Sequence, residues 1–95
     1  MCEFFQRVES MIREKSACYA SPDDPLDNFK RNAARLGMTP FQVWAIYFSK
    51  HADAIIEAIK KNPEKPLDTS EGFRVRLIDA AAYLALADKL FDEVK

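Results

Sequence analysis

The stretch "NAARLGMTPFQVW", Asn32 to Trp44, constrains this chain more than any other. Two helical patterns meet there across Gly37, Met38 and Thr39. Glycine after the last periodic residue is the usual left-handed end of a helix. Threonine followed by proline is an N-cap with proline in the first helical position. So short a connection forces a sharp corner and folds the second helix back beside the third. No stretch of the sequence alternates like a strand, so the chain reads as all-α.

Four helical segments follow from the same signals. The first covers roughly Cys2 to Ala17, with Phe4, Phe5, Val8, Met11 and Ile12 on one face. "CYASPDDP" breaks it. Asp24 as N-cap and Pro25 as first helical residue start a second helix that runs to Leu36, with Leu26, Phe29, Ala33 and Leu36 as a narrow apolar seam. The third helix, Pro40 to Lys61, carries Phe41, Trp44, Phe48, Ile55 and Ile59 on its main apolar stripe, and Lys60 and Lys61 suit its negative end. "NPEKPLD" is the linker. Asp68 and Glu71 stand three apart as a capping box before the last helix, Thr69 to about Glu93. That helix has a large-residue face, Phe73, Leu77, Leu84 and Phe91, and a small-residue face in "DAAAYLALA". The expectation is one helical domain over residues 1–95, a compact bundle of about four helices.

A chain of 95 residues has room for one small core, and self-association is a natural source of further burial; a homo-oligomer is expected. The net charge of −1 points to neither nucleic acid nor membrane as a partner, and no apolar run approaches the length of a bilayer span. The N-terminus is charged too early for a secretory leader. Cys2 and Cys18 flank one helical segment, which puts their Cα atoms about 24 Å apart, beyond disulfide reach. They read as free thiols in a reducing, cytoplasmic compartment.

Three polar constellations stand out. In "DNFKRNAARLG", Asn28 falls in a first helical turn, whose open amides favour anions such as phosphate; Lys30 and Arg31 read as a solvated face. In "SKHADAI", His51 lies on the stripe of Trp44, Phe48 and Ile55 and points inward, with Lys50 on its flank. It reads as either a hydrogen-bonded structural histidine or a group beside a ligand. In "RVRLIDAAAYLAL", Arg76, Asp79 and Tyr83 line one face of the last helix. Arg76 and Asp79 can form an intrahelical ion pair, or, with the phenol, grip phosphate and stack on a base. The sequence has no Gly-rich phosphate loop, since its glycines are Gly37 and Gly72 alone, and no Cys/His metal spacing.

Taken together, "YASPDDPLDNFKRNAARLGMTP", "SKHADAI" and "RLIDAAAYLAL" resemble small helical phage and prophage proteins of the nucleotide modification associated domain type. These are distantly similar to the MazG-like all-α nucleotide pyrophosphohydrolases. The resemblance spans roughly Tyr19 to Leu90. It implies a bacterial cytoplasmic setting and a nucleotide-like ligand. The short turn at Gly37 to Pro40 and the linker after Asn62 bring Asn28, Lys50, His51, Arg76, Asp79 and Tyr83 near one level, and these are the expected polar lining. MazG-like enzymes hold magnesium with two acidic pairs on separate helices. Here Asp53 with Glu57 supply one pair and Asp79 stands alone, one carboxylate short. The expectation is therefore binding of a phosphate-bearing small molecule without turnover and without a cofactor, as in a phage sponge for cyclic-nucleotide defence signals. The alternatives are a magnesium-dependent hydrolase and a protein-interaction or assembly protein.

Overall fold

The computed structural model describes residues 2–19, 26–66 and 72–94, with the side chains of Cys2 and of residues 15–19 left aside. Within them the chain forms α1 (Cys2–Tyr19), α2 (Asp27–Leu36), α3 (Pro40–Lys61) and α4 (Phe73–Glu93), and no strand. The α2–α3 corner is built as its residues dictate. Gly37 takes the left-handed conformation at φ 68°, and the Met38 amide donates to the Ala33 carbonyl at 3.0 Å, which closes the end of α2. Thr39 and Gln42 form a reciprocal capping box, with Gln42 N to Thr39 Oγ1 at 3.1 Å and Thr39 N to Gln42 Oε1 at 2.8 Å.

Two helix starts differ from the sequence expectation. α2 begins at Asp27 with Leu26 in the capping position and no side-chain cap, so the proposed Asp24–Pro25 start falls outside the described residues. α4 begins at Phe73 instead of Thr69 because Gly72, at φ 91°, is incompatible with a right-handed helix. The Asp68–Glu71 box also lies outside the described residues. At the other end of the chain α1 runs two residues beyond Ala17, and its unbroken course from Cys2 through Cys18 separates those Cα atoms by about 24 Å.

α4 is the spine: α1 packs on it, α3 packs on it, and α2 packs on α3. The larger core cluster joins Leu26, Phe29 and Ala33 of α2 and its approach to Val43 of α3 and Leu86 and Leu90 of α4. The smaller one joins Val8 of α1 to Ile78 and Ala82 of α4. This arrangement corrects the expected faces of α1, α2 and α3, and on α4 it packs the small-residue stretch as its composition suggests. On α4 the packed line is Ile78, Asp79, Ala82, Leu86 and Leu90, which runs through the stretch "DAAAYLALA", whereas Leu84 and Phe91 are exposed. Ala82, fully buried beside Val8 and Ile78, lets α1 come close at that point. On α3 the fully buried residues are Val43 and Ala58, with Phe41, Trp44, Phe48 and Ile55 half-buried and Ile59 exposed. On α1 and α2, Phe5 and Leu36 are exposed, Phe5 lying edge-on against Phe4 and Leu36 sitting at the corner where the chain turns away.

No helix among the described residues is long and apolar enough to cross a membrane.

Candidate functional site

The joint between the middle of α3 and the middle of α4 gathers polar and aromatic side chains. Position 79 on α4 faces inward, between Ile78 and Ala82, and Asp79 is the buried charged residue of the described core, 6% exposed. Across from it α3 presents His51, with Nδ1 at 4.0 Å from Asp79 Oδ2. That distance is within ion-pair reach but longer than a direct hydrogen bond. The contact is an ion pair when the imidazole is protonated. The His51 Nδ1 and Asp79 Oδ1 atoms are both sealed from solvent.

One turn along α4, Tyr83 places its ring 4.8 Å from the imidazole, tilted by 36°. Another neighbour is Phe29 of α2, edge-on at 6.1 Å, and Phe29 also meets Tyr47 of α3 at 5.9 Å. The backbone is held here too. Trp44, two turns before His51 on the same stripe of α3, donates its indole N–H to the Tyr83 carbonyl at 2.7 Å, and its ring stacks on Phe48 at 4.9 Å. An indole held by stacking on one face and by its N–H fixes the register of α3 against α4, and with it the approach of His51 to Asp79.

Of the six residues expected to line a site, His51, Asp79 and Tyr83 are thus brought into one cluster. Arg76, half-buried, lies one turn before Asp79 on α4. Lys50 is next to His51 but exposed, and its ammonium stands 5.8 Å from the Tyr47 ring centroid, a cation–π distance on the rim of the cluster. Asn28 does something else: its side-chain and backbone oxygens accept from Asn32 Nδ2 at 3.0 and 2.8 Å. The Phe29 and Lys30 amides already donate to the Leu26 carbonyl at 3.0 and 3.2 Å. The start of α2 therefore offers fewer open donors to an anion than its sequence promised. It is Phe29, not Asn28, that reaches Tyr83.

Lys30 also departs from its solvated reading. It bonds Glu93 near the end of α4 at 2.8 Å, whereas Arg31 pairs with Asp27 one turn back on α2.

Sequence reasoning missed Trp44 as a clamp, Tyr47 as the partner of Lys50, and Phe29 as the aromatic floor. The signals were there for two of them: Trp44 and Tyr47 stand seven and four residues before His51, on its face of a helix. That Phe29 joins them depends on the α2–α3 corner.

The acidic residues that a magnesium site would need are not gathered. Asp53 and Glu57 are exposed on α3, with Glu57 3.9 Å from Lys60, whereas Asp79 is buried against His51. Among the described residues no three His, Cys, Asp or Glu side chains are placed to share a metal ion. The trio does not fit the metal. Comparison of the chain with protein-family models, with curated proteins and with solved structures finds no match.

Proposed function

We propose that this protein binds a phosphate-bearing, nucleotide-like small molecule at the α3–α4 joint without turning it over. The observation that carries the reading is the burial of Asp79 against His51 and Tyr83. Taking a carboxylate out of water costs several kcal/mol before compensation, and a well-packed apolar residue commonly serves a core as well or better. A buried acid beside an imidazole and a phenol is therefore better explained by recognition than by stability. The chemistry suits a nucleotide. The carboxylate accepts from a ribose hydroxyl or a base amino group, the aromatic rings offer stacking surface, and Lys50 and Arg76 supply cations for phosphate. The resemblance to phage and prophage nucleotide-associated proteins agrees with this and adds a role: sequestration of a cyclic-nucleotide or related signal, in the cytoplasm of an infected host, by a homo-oligomer. Asp53 and Glu57 are exposed while Asp79 is buried against His51, and the set is one carboxylate short of two acidic pairs, which favours binding over hydrolysis.

The test is a thermal-shift screen of nucleoside mono-, di- and cyclic phosphates with and without magnesium, followed by calorimetric titration. A ligand at 100 times its dissociation constant adds about 2.7 kcal/mol of stability. Arg76→Ala is expected to weaken binding by about 1.5–3 kcal/mol, as for a hydrogen bond to a charged group, and Lys61→Ala at the exposed end of α3 to leave it unchanged. No shift with any nucleotide refutes the reading, and product release that requires magnesium replaces it with the hydrolase.

A further inference from the structure

The outward face of α4 carries a pattern that the fold leaves partly uncovered. Phe73, Leu77, Ala80, Leu84, Ala87, Phe91 and Val94 follow one another at alternating steps of four and three residues, the spacing of a coiled-coil seam. They lie opposite the buried line Ile78, Ala82, Leu86 and Leu90, so the seam does not serve the chain's own core. Its C-terminal half is open: Leu84 is 54%, Phe91 71% and Val94 50% exposed. Its N-terminal half opens into a cleft of about 340 Å³ lined by Lys65, Pro66, Phe73, Arg74 and Leu77.

We infer that the seam is the interface of an antiparallel homodimer, α4 against α4 of a second copy, with Phe91 of each copy seated in the Phe73–Leu77 cleft of the other. This does not rest on the nucleotide reading. Three observations select a second copy, and select it antiparallel. Large and small residues complement each other in that register: Leu77 faces Ala87 of the partner subunit, and Leu84 faces Ala80 of the partner subunit. The two-fold axis falls midway between Ala80 and Leu84. The exposed ring of Phe91 then arrives at the cleft at the far end, a knob and a hole on the same molecule, as a self-complementary interface requires. Charge agrees as well. Arg74 and Asp88 are both exposed, lie on the same flank of the seam, and form no ion pair with another described residue. In the antiparallel register Arg74 meets Asp88 of the partner subunit, once on each side of the axis. In a parallel register Arg74 and Asp88 of the partner subunit would lie two heptads apart, about 21 Å along the axis, and could not meet. The seam extends about 32 Å from Phe73 to Val94, the length of three heptads.

The experiment is sedimentation equilibrium on the whole chain, with circular dichroism to verify helix content. Wild type is expected at the mass of two chains, and Leu84→Lys at the mass of one with its helicity kept. Should Leu84→Lys fail to fold, Phe91→Ser, at the most exposed of these positions, gives the same reading. Arg74→Glu or Asp88→Arg alone is expected to weaken the dimer about tenfold, and the two together to restore it, because the reversed pair attracts again. A wild type that stays monomeric at every concentration overturns the proposal. So does a dimer indifferent to Leu84→Lys and Phe91→Ser, which would put the contact elsewhere, or a double reversal weaker than either single one, which would refute the antiparallel register.

Discussion

α1 and α2 make an instructive pair. α1 has 18 residues and α2 only 10, yet the shorter helix is the more deeply held. Leu26, at the threshold of α2, is fully buried, and Phe29 and Ala33 are 3% exposed; of the described side chains of α1, Val8 alone is buried, at 7%. α2 is wedged against α3 and reaches α4 through Phe29 and Lys30, whereas α1 packs chiefly on α4 and touches the larger cluster through Ile12. Helix length measures backbone hydrogen bonds, most of which a helix in water must still support with packing. Docking depends on how many sides of the seam find neighbours. A helix with few apolar residues can be the better anchored when each of them is enclosed.

The comparison breaks first at Leu90. It is 1% exposed in the α2–α3–α4 cluster, and Leu90→Ala is expected to cost about 2–5 kcal/mol in urea unfolding, the range for deleting a buried leucine side chain. Val8→Ala removes two buried methyl groups from the thinner cluster and should cost about 1.5 kcal/mol. It should also accelerate amide exchange in α1 while leaving α2 protected. If α2 loosens equally, the two clusters are one cooperative unit and the contrast fails. Next comes the corner. Thr39→Ala removes the capping box and is expected to lower stability by about 1 kcal/mol, and a larger loss would mean that α2 is held by the turn more than by its seam. The smallest effect belongs to Lys30→Ala. The Lys30–Glu93 pair links α2 to α4, but both side chains are more than one-third exposed, so less than about 0.5 kcal/mol should be lost and less still in high salt.

The candidate site was legible in a particular way. His51 announced itself as a polar residue on an apolar stripe, and Asp79 and Tyr83 shared a face of α4, so each could be nominated from helical spacing alone. Asn28 was nominated from its first helical turn, which says only that amides are present, and here Leu26 and Asn32 already engage that turn. Trp44 was read as core because an indole is mostly apolar, and only its meeting with the Tyr83 carbonyl reveals the polar end at work. Lys30 looked solvated because its partner Glu93 lies 63 residues away, at the far end of the chain.

The sequence by itself determined the helical class, the corner at Gly37–Pro40 and the bounds of α3, because capping, left-handed glycine and proline at a first turn are settled by residues within a few positions of each other. It also wrote the two faces of α4 in full. Which of those faces would be buried was decided only by the tertiary structure. Both are apolar and equally periodic, and local energetics do not distinguish them. α1 and α3 both pack on the side that carries Ile78, Ala82, Leu86 and Leu90, and their contacts bury that line while the Leu84–Phe91 side stays open. The same packing turned Asp79 inward against His51 and left Leu84, Phe91 and Val94 in the open.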